Sequence, residues 1–343
     1  MQQILNTLYV MTQGAMLSLD HDTLKVKVEK EVKLRVPLLH LGAICCLGRV
    51  MPTVGLIHRC ALDGRAIVFF DPYGRFRARV VGPVSGNVLL RRDQHAALSA
   101  SPRCLAIARS VVAGKIQNSR QVLLRAGREA ETTESKSPLE AAARVLAATL
   151  PRVQKAGGLD ELRGIEGEAA RAYFSAFPQM VREDREAFAI SGRSRRPPRD
   201  RTNALLSFLY ALLVNDCVSA AEGVGLDPQV GFLHALRSGR PALALDLMEE
   251  LRPVLADRLA LTLINRRQLT AADFEERPGG AVLLGEKARK AVVVAYQRRK
   301  QDEVRHPVLD QKMPLGLVAH TQARLLARHL RGDLEAYPPF LYR

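Results

Sequence analysis

The sequence predicts an α+β protein, in which a β-rich N-terminal domain precedes a larger all-α C-terminal domain. Through about the first ninety residues, short segments between glycines alternate apolar and charged residues, the period of two that strands show. After Gln94, these segments give way to long stretches rich in Ala, Leu and Arg with helical periodicity. We therefore place a β-rich domain at residues 1–92 and an all-helical domain at residues 93–343.

Four segments of the N-terminal domain carry the strand signal. Leu24–Val28 (LKVKV) and Val32–Val36 (VKLRV) alternate in character and predict a hairpin with one buried face. Ala66–Phe70 (AIVFF) predicts a buried strand, and Phe76–Val81 alternates again. Between the two pairs, Thr53–Leu62 follows a proline and predicts one short helix.

The C-terminal domain is predicted to contain a series of helices, many of them separated by Gly, Pro or Ser clusters. Their predicted ranges are Pro102–Gly127, Pro138–Pro151, Asp160–Phe177, Arg201–Glu222, Pro228–Arg237, Pro241–Leu251 and Pro253–Arg266. We predict no strand in this half of the chain.

Composition and charge narrow the class of function. Of the 343 residues, 47% are apolar and 25% are charged, which is typical of globular proteins. Lys and Arg number 51 against 35 Asp and Glu, so the formal net charge is +16. A chain this basic most often binds a polyanion, and nucleic acid is the first expectation. Frequent arginine in a GC-rich genome would explain the same charge.

The sequence also argues against a membrane or secreted protein. No apolar run reaches the roughly 18 uncharged residues of a membrane span, and MQQILNTLYV does not resemble a secretory signal. The five cysteines form no CxxC pair, which argues against a cysteine-based zinc module. An odd number without framework spacing indicates reduced thiols and a cytoplasmic location.

Glu166 is the first acidic residue of interest. It lies in the segment GIEGEAARAYF with Gly164 and Gly167 on either side, and these small residues let another helix or a ligand approach the backbone. Taken alone, a solvated glutamate on a helix face is the favoured interpretation.

A histidine and two further carboxylates lie in the segment GFLHALRSGRPALALDLMEELRP. We predict His234 within an apolar helical run, from which it could fold back toward the next helix. Asp246 and Glu249 are three residues apart and share one face of that helix. Imidazole and carboxylate together suit Mn²⁺ or Mg²⁺. A packed histidine and an aspartate paired with Arg237 or Arg240 are the alternatives, and each is favoured when the residue is taken singly.

Asn203 and Tyr210 are candidates for supporting roles. Asn203 precedes the apolar run ALLSFLYALL, where an asparagine is first of all an N-cap. Tyr210 lies seven residues later on the same helical face, and a core tyrosine with a satisfied hydroxyl is the stronger interpretation of it.

The segment RSRRPPRDR cannot form a core, because it is rich in arginine and its two prolines keep it extended. It is either a loop that contacts DNA phosphates or a solvated connection, and the two readings are equally supported. The candidate DNA-contacting residues are Arg193, Arg195, Arg196, Arg199 and Arg201.

Three of these segments, in this order, resemble the motif blocks of one family, the CRISPR-associated integrase of spacer acquisition. They are GIEGEAARAYF, TNALLSFLYALL and GFLHALRSGRPALALDLMEELRP. The opening LNTLYV, the region GRAIVFFDPYGRFRARV and the segment QKMPLGLVAHTQARLLARHLRG resemble its type I-C branch. The resemblance covers essentially the whole chain.

The resemblance implies metal-dependent cleavage and joining of DNA. By position, Glu166, His234 and Glu249 would bind Mg²⁺ or Mn²⁺, and Asp246 would be a further catalytic residue, either a direct ligand or one that supports a ligand. The family also implies a homodimer formed through the β-rich domain, double-stranded and branched DNA as substrates, and a small CRISPR-associated partner protein.

We therefore expect a metal-dependent DNA endonuclease and integrase. It would insert short fragments into a CRISPR array by attack of a 3′-hydroxyl on a phosphodiester. The competing hypothesis is a basic DNA-binding scaffold or recombination accessory protein without catalysis, which would explain the charge of the chain equally well.

Overall fold

The chain divides into two compact units in the computed structural model, which describes residues 6–83, 87–194 and 197–342. The first unit runs to Gly86 and the second begins at Asn87. Residues 87–92, assigned from the sequence to the first domain, therefore begin the second unit. Asn87 caps the first helix of that unit, because its side chain accepts a hydrogen bond from the Leu90 N–H (3.1 Å).

The first unit is rich in β-structure, as predicted. Its described strands are β1 Asn6–Val10, β2 Ala15–Asp20, β3 Thr23–Val28, β4 Glu31–Pro37, β5 Leu41–Leu47, β6 Val50–Pro52, β7 Ala66–Phe70 and β8 Phe76–Val80. One helix, α1 Val54–Leu62, connects β6 to β7. The predicted hairpin (β3 and β4), buried strand (β7), strand at Phe76–Val81 (β8) and short helix (α1) are all present. The predicted buried face of the hairpin is found on β3 only, where Leu24 and Val26 are buried, whereas β4 is almost wholly exposed.

The strands of the first unit form two four-stranded sheets. One has the order β1-β5-β7-β8, parallel except for the β7–β8 pair. The other has the order β4-β3-β2-β6, antiparallel except for the β2–β6 pair. Leu17, Leu24, Ile44, Leu56 and Ile67 are fully buried and form the centre of one apolar cluster. This cluster supplies the first unit with its own hydrophobic core.

The second unit is mainly helical. Its described helices are α2 Val88–Ser99, α3 Ser101–Glu129, α4 Thr133–Lys155, α5 Leu159–Ala176, α6 Arg201–Val224, α7 Ala242–Leu251, α8 Arg258–Asn265, α9 Glu286–Gln301 and α10 Val318–Leu330. Between α7 and α8, residues Arg252–Asp257 form a π-helix. The mixed α+β class with strands mostly in the N-terminal region is confirmed.

Two features of the second unit correct the prediction that it is all-helical. Antiparallel hairpins pair β9 Phe274–Arg277 with β10 Ala281–Leu284, and β11 Glu303–His306 with β12 Gln311–Pro314. Each strand has only four residues, too few to show a clear period of two. The turn of the first hairpin contains two glycines with positive φ, a conformation that favours glycine.

The predicted helix Pro228–Arg237 is also wrong, because this segment is an irregular loop. The backbone N–H groups of Phe232, Leu233 and His234 bond to the side chain of Asp246 instead of to carbonyls four residues earlier. A side chain thus satisfies the backbone groups that a helix would otherwise pair.

Helix α6 is long and apolar enough to cross a membrane by length and composition alone. Most of it is buried inside the second unit, with Leu205, Leu209, Leu212 and Leu213 almost fully covered. It packs against α7 and α10. Burial of this kind is that of a core helix.

Candidate active site

The loop that precedes α7 folds around the carboxylate of Asp246. One oxygen, Oδ2, accepts hydrogen bonds from the N–H groups of Phe232 (2.6 Å) and Leu233 (3.0 Å). The other, Oδ1, accepts from the N–H of His234 (3.0 Å). Glycine at 231 permits this approach, since a Cβ there would lie 2.8 Å from Asp246 Oδ2 and 2.5 Å from the helix backbone.

Asp246 also orients the imidazole of His234. The two side chains are joined by a 2.7 Å contact between His234 Nδ1 and Asp246 Oδ1. In the tautomer in which Nδ1 donates its N–H to Asp246, Nε2 has a lone pair that points away from Asp246 and can accept a hydrogen bond or bind a metal ion. Nε2 lies 3.8 Å from Oε1 of Glu249, so His234 folds back onto α7 as predicted. Asp246 is only 1% exposed, whereas the side chain of His234 is 20% exposed.

Glu249 lies at the centre of the cluster and is surrounded by positive charge. Its Oε1 pairs with Nη2 of Arg252 (2.8 Å), and its Oε2 pairs with Nζ of Lys115 (2.7 Å). Burial alone would raise the pKa of Glu249, but the positive charges of Arg252 and then Lys115 outweigh burial and lower it to about 2. This carboxylate is therefore ionised throughout the physiological pH range.

Glu166, on α5, reaches the same cluster through Lys115 of α3. The Lys115 ammonium pairs with Glu166 as well as with Glu249, and so it lies between the two carboxylates. The side chain of Glu166 is 25% exposed and forms the open edge of the site. Among the described residues, nothing lies within 4 Å of a Cβ built at Gly164. No described helix is therefore packed on Gly164, which points away from Glu166 because residues two apart on a helix lie on opposite faces. The access of a ligand to Glu166 follows from the exposure of its own side chain.

The π-helix extends the network to a further buried carboxylate, that of Asp257. Arg252, which pairs with Glu249, places its guanidinium 4.6 Å from the ring centroid of Tyr210. The Tyr210 hydroxyl donates to Oδ1 of Asp257 (2.5 Å), and the Tyr173 hydroxyl donates to Oδ2 (3.1 Å). Burial first, and then the neighbouring Asp257 charge, raises the pKa of Tyr210 well above its usual value. The hydroxyl of Tyr210 is satisfied within the protein, as the core interpretation predicted.

Asn203 is not the N-cap of α6. That position belongs to Asp200, whose Oδ1 accepts from the Asn203 N–H (2.7 Å). The Asn203 side chain instead holds the preceding segment. Its Nδ2 donates to the Gly192 carbonyl (2.8 Å), and its Oδ1 accepts from the Ser194 N–H (3.2 Å) and from the Arg193 guanidinium.

Each arginine of the arginine-rich segment that the structure describes contacts the rest of the protein. Arg193 pairs with Asn203 and lies over the Tyr210 ring, 5.1 Å from its centroid. Arg199 donates to the Gly279 carbonyl (2.8 Å), and Arg201 donates to the Ala187 carbonyl (3.1 Å). Arg195 and Arg196 lie outside the described residues. The described part favours an anchored connection, and DNA contact by these arginines stays a prediction.

The predicted ligands converge, but not as a preformed metal centre. No three His, Cys, Asp or Glu side chains within 6–83, 87–194 and 197–342 are placed to share a metal ion as they stand. Lys115 explains this, because its ammonium occupies the space between Glu166 and Glu249. The donor set of two carboxylates and an imidazole nevertheless suits Mn²⁺ or Mg²⁺, and a bound ammonium shows that the point attracts a cation.

Sequence reasoning missed Lys115, Arg252 and Asp257. A signal existed for Lys115, which lies on the same helical stripe as the apolar residues Val111 and Val122. A lysine at such a position is buried only when it has a partner. Arg252 and Asp257 gave no such signal, because a π-helix alters which side chains share a face.

Comparison with known proteins identifies the family. The sequence profile of the family described as "CRISPR associated protein Cas1" matches residues 8–298. The chain belongs to the Cas1 family. It is 62% identical over 343 residues, the full length of both chains, to "CRISPR-associated endonuclease Cas1 1" of Moorella thermoacetica. The narrower resemblance to the type I-C branch stays a prediction.

Solved structures show the same fold. A CAS1 protein from Thermotoga maritima superposes with a TM-score of 0.81 at 24% identity, covering 95% of this chain and 97% of that one. A chain of a Cas6-RT-Cas1–Cas2 complex superposes with a TM-score of 0.83 at 25% identity, covering 98% of this chain and 36% of that one. The fold of the Cas1 family is therefore present over nearly the whole chain.

Proposed function

We propose that this Cas1 protein is a metal-dependent DNA endonuclease and integrase that inserts short DNA fragments into a CRISPR array. The observation that carries the proposal is the convergence of Glu166, His234 and Glu249, from three separate parts of the chain, on one partly open point. The Moorella relative, 62% identical over the full length, is named an endonuclease.

The surroundings of His234 support a ligand role for its imidazole. A metal-ligating histidine usually donates its other ring N–H to a carboxylate, which fixes the tautomer. Asp246 provides such a carboxylate at 2.7 Å, and its other contacts are backbone N–H groups deep in the fold. We therefore assign metal binding to Glu166, His234 and Glu249, and we assign to Asp246 the positioning of His234.

Glu166, His234 and Glu249 would hold Mg²⁺ or Mn²⁺, which would supply Lewis-acid polarisation of the phosphodiester and activation of the attacking oxygen. The attacking oxygen is the 3′-hydroxyl of a DNA fragment in joining and water in cleavage, so one site serves both reactions. The guanidinium of Arg252 is held beside Glu249 by the π-helix and adds positive charge near the reacting phosphate. The Glu166 side chain is 25% exposed, which leaves it accessible to a DNA strand.

The partners follow from charge and from the neighbouring structures. A formal net charge of +16 suits double-stranded DNA, including branched forms. The structural neighbour at 25% identity is part of a Cas1–Cas2 assembly, which supports a small CRISPR-associated partner protein. We further propose that the β-rich unit forms the homodimer. The five cysteines are all buried and none forms a disulfide, which agrees with a reducing cytoplasmic location.

A strand-transfer assay tests the proposal. Short duplexes with free 3′-hydroxyl ends are mixed with a supercoiled plasmid carrying a CRISPR repeat, in Mn²⁺ or in EDTA, with and without the small partner protein. We expect nicked and joined products in Mn²⁺ only. Glu166→Ala and His234→Ala are expected to abolish both products, because each removes one ligand, while DNA binding and the circular-dichroism spectrum are retained.

Glu168→Ala is the matched control for Glu166→Ala. Glu168 lies on the same helix and pairs with Arg152 at the surface, away from the cluster. Its variant should nick and join like the wild type. DNA binding by the wild type without strand chemistry, in any metal and with the partner present, would instead establish the non-catalytic scaffold.

A further inference from the structure

Lys115 joins the two carboxylates that would otherwise share a cation. Its Nζ lies 2.7 Å from Oε2 of Glu249 and also pairs with Glu166. Lys115 lies on α3, Glu166 on α5 and Glu249 on α7, so this ammonium links three helices at one point. The Lys115 side chain is only 11% exposed.

The position of the ammonium has an electrostatic cause. Two carboxylates that approach one point repel each other strongly in a partly buried site, and one of them, Glu249, is almost fully buried. A positive charge between them converts that repulsion into attraction. A lysine suits this purpose because its ammonium is a compact point charge on a flexible stem.

We propose that Lys115 is a built-in counter-ion for Glu166 and Glu249, which holds the pair together when no divalent cation is bound and competes with that cation for the site. The inference rests on the metal site assigned above. A metal ligated by both carboxylates would occupy the space between them, and so its binding requires the ammonium to move away. Lys115 thereby weakens metal affinity and keeps the metal-free site folded.

Two consequences distinguish this role from that of an ordinary structural ion pair. Removing the ammonium should strengthen metal binding, because the competitor is gone. It should also destabilise the protein more when metal is absent than when metal is bound, since a bound metal replaces the missing positive charge. A lysine that merely holds α3, α5 and α7 together would destabilise the protein equally in both conditions.

Direct binding of Mn²⁺ to the full-length, chelator-treated protein tests the first consequence. Free Mn²⁺ is followed by electron paramagnetic resonance for the wild type, Lys115→Met and Lys115→Gln. We expect both variants to bind Mn²⁺ about tenfold more tightly than the wild type. Lys290→Met is the matched control, since it removes one positive charge from an exposed position on α9 and should leave the affinity unchanged.

Thermal unfolding of the same proteins tests the second consequence. In EDTA, Lys115→Met should melt at a lower temperature than the wild type. In saturating Mn²⁺ the difference should shrink or reverse. An equal decrease in both conditions would show a structural ion pair and would overturn the inference. If the Met variant does not fold in EDTA, the same comparison of melting temperatures in EDTA and in Mn²⁺ is made with Lys115→Gln.

The outcomes separate this inference from the proposed function. If the wild type binds Mn²⁺, His234→Ala does not, and the Lys115 variants bind no more tightly than the wild type, the counter-ion role is overturned and the metal site stands. If no protein binds Mn²⁺ saturably, the metal site itself is overturned, and the counter-ion inference with it. If the Lys115 variants bind Mn²⁺ more tightly than the wild type and Lys290→Met does not, the result supports both the metal site and the counter-ion role of Lys115.

Discussion

Two consecutive carboxylates on α7, Glu249 and Glu250, are equally buried but lie in opposite surroundings. Glu249 is 2% exposed and faces the cations Arg252 and Lys115, which lower its pKa to about 2. Glu250 is 0% exposed, and burial raises its pKa to about 8. Helix geometry directs consecutive side chains about 100° apart, so the two residues belong to different networks.

Neutral donors surround Glu250. It accepts hydrogen bonds from the Tyr337 hydroxyl (2.6 Å), the Phe340 N–H (2.6 Å) and Nε2 of Gln322 (2.8 Å). Nearby, Nδ2 of Asn118 donates to the carbonyls of Glu250 (2.7 Å) and Phe340 (2.8 Å). This network fastens the segment around residues 337–342 to α3, α7 and α10.

The comparison teaches that partners, rather than burial, decide what a buried glutamate does. Cations keep Glu249 ionised beside a partly open site, where a charged carboxylate can take part in chemistry. Uncharged donors satisfy Glu250 inside the core, where it serves the fold. Glutamate on one helix thus serves the candidate site at position 249 and the stability of the fold at position 250.

The largest expected effect is the loss of strand chemistry in Glu249→Gln. Removing the charge of a proposed ligand should lower Mn²⁺-dependent nicking by at least about 100-fold. Glu250→Gln, one residue away, should nick like the wild type, because Glu250 contacts only the core network. Both are measured by plasmid nicking at a temperature where circular dichroism shows folded protein. Equal loss in the two variants would contradict the separation of the two networks.

The two glutamates should also give opposite pH dependences of stability in EDTA. The pKa of Glu250 is raised from 4.5 to about 8, so its contribution to the free energy of unfolding is full below pH 4.5 and is lost as the pH rises to 8. The pKa of Glu249 is lowered from 4.5 to about 2, so its contribution is present above pH 4.5 and is lost as the pH falls to 2.

Urea unfolding at pH 5 and pH 8 measures the alkaline effect. The wild type should lose more stability between these two pH values than Glu250→Gln, which has no proton to release. Glu335→Gln is the control, because Glu335 is exposed. It should follow the wild type. A Glu250→Gln protein with the pH dependence of the wild type would show that this carboxyl does not titrate in the range.

The sequence predicted the fold where the local signal was long or strongly periodic. The hairpin of β3 and β4, the strand β7 and the long helices α3 to α6 each follow their pattern. The prediction was wrong at the hairpins β9–β10 and β11–β12 and at the loop before α7. The hairpin strands have only four residues each, too few to show a periodic pattern. The loop is held by the side chain of Asp246, which lies fourteen residues after Phe232 and is outside the range of any local pattern.

The candidate site was predicted to a different degree. Positional resemblance supplied Glu166, His234, Asp246 and Glu249, which the structure brings into one connected cluster. The residues that set its charge, Lys115 and Arg252, were not found, because their importance depends on which helices meet in the fold. Their roles, like the metal ligation itself, stay predictions.

A smaller effect is expected from Tyr337→Phe, which removes one donor from Glu250. Leaving a buried acceptor short of a partner typically costs about 1–3 kcal/mol, so the free energy of unfolding should fall by that amount. Plasmid nicking should be unchanged, because the Tyr337 hydroxyl does not contact the Glu249 side of α7. Urea unfolding and nicking of the same preparation measure the two quantities. A loss of nicking without a loss of stability would show that the networks around Glu249 and Glu250 are coupled, against this expectation.

The smallest effect is expected from Tyr210→Phe, which concerns a third buried carboxylate. Asp257 lies between the two extremes, since it accepts from the hydroxyls of Tyr210 and Tyr173 and also lies near the guanidinium of Arg252. Tyr210→Phe and its matched control Tyr173→Phe each remove one hydroxyl from Asp257. Each should lower the free energy of unfolding by about 1 kcal/mol. Because both hydroxyls contact Asp257 rather than Glu166 or Glu249, nicking should be retained in both variants.

A loss of nicking in Tyr210→Phe alone, with the two variants equally stable, would contradict this expectation. It would show that the Tyr210 hydroxyl acts on the DNA and that Asp257 supports catalysis, like Glu249, rather than the fold, like Glu250.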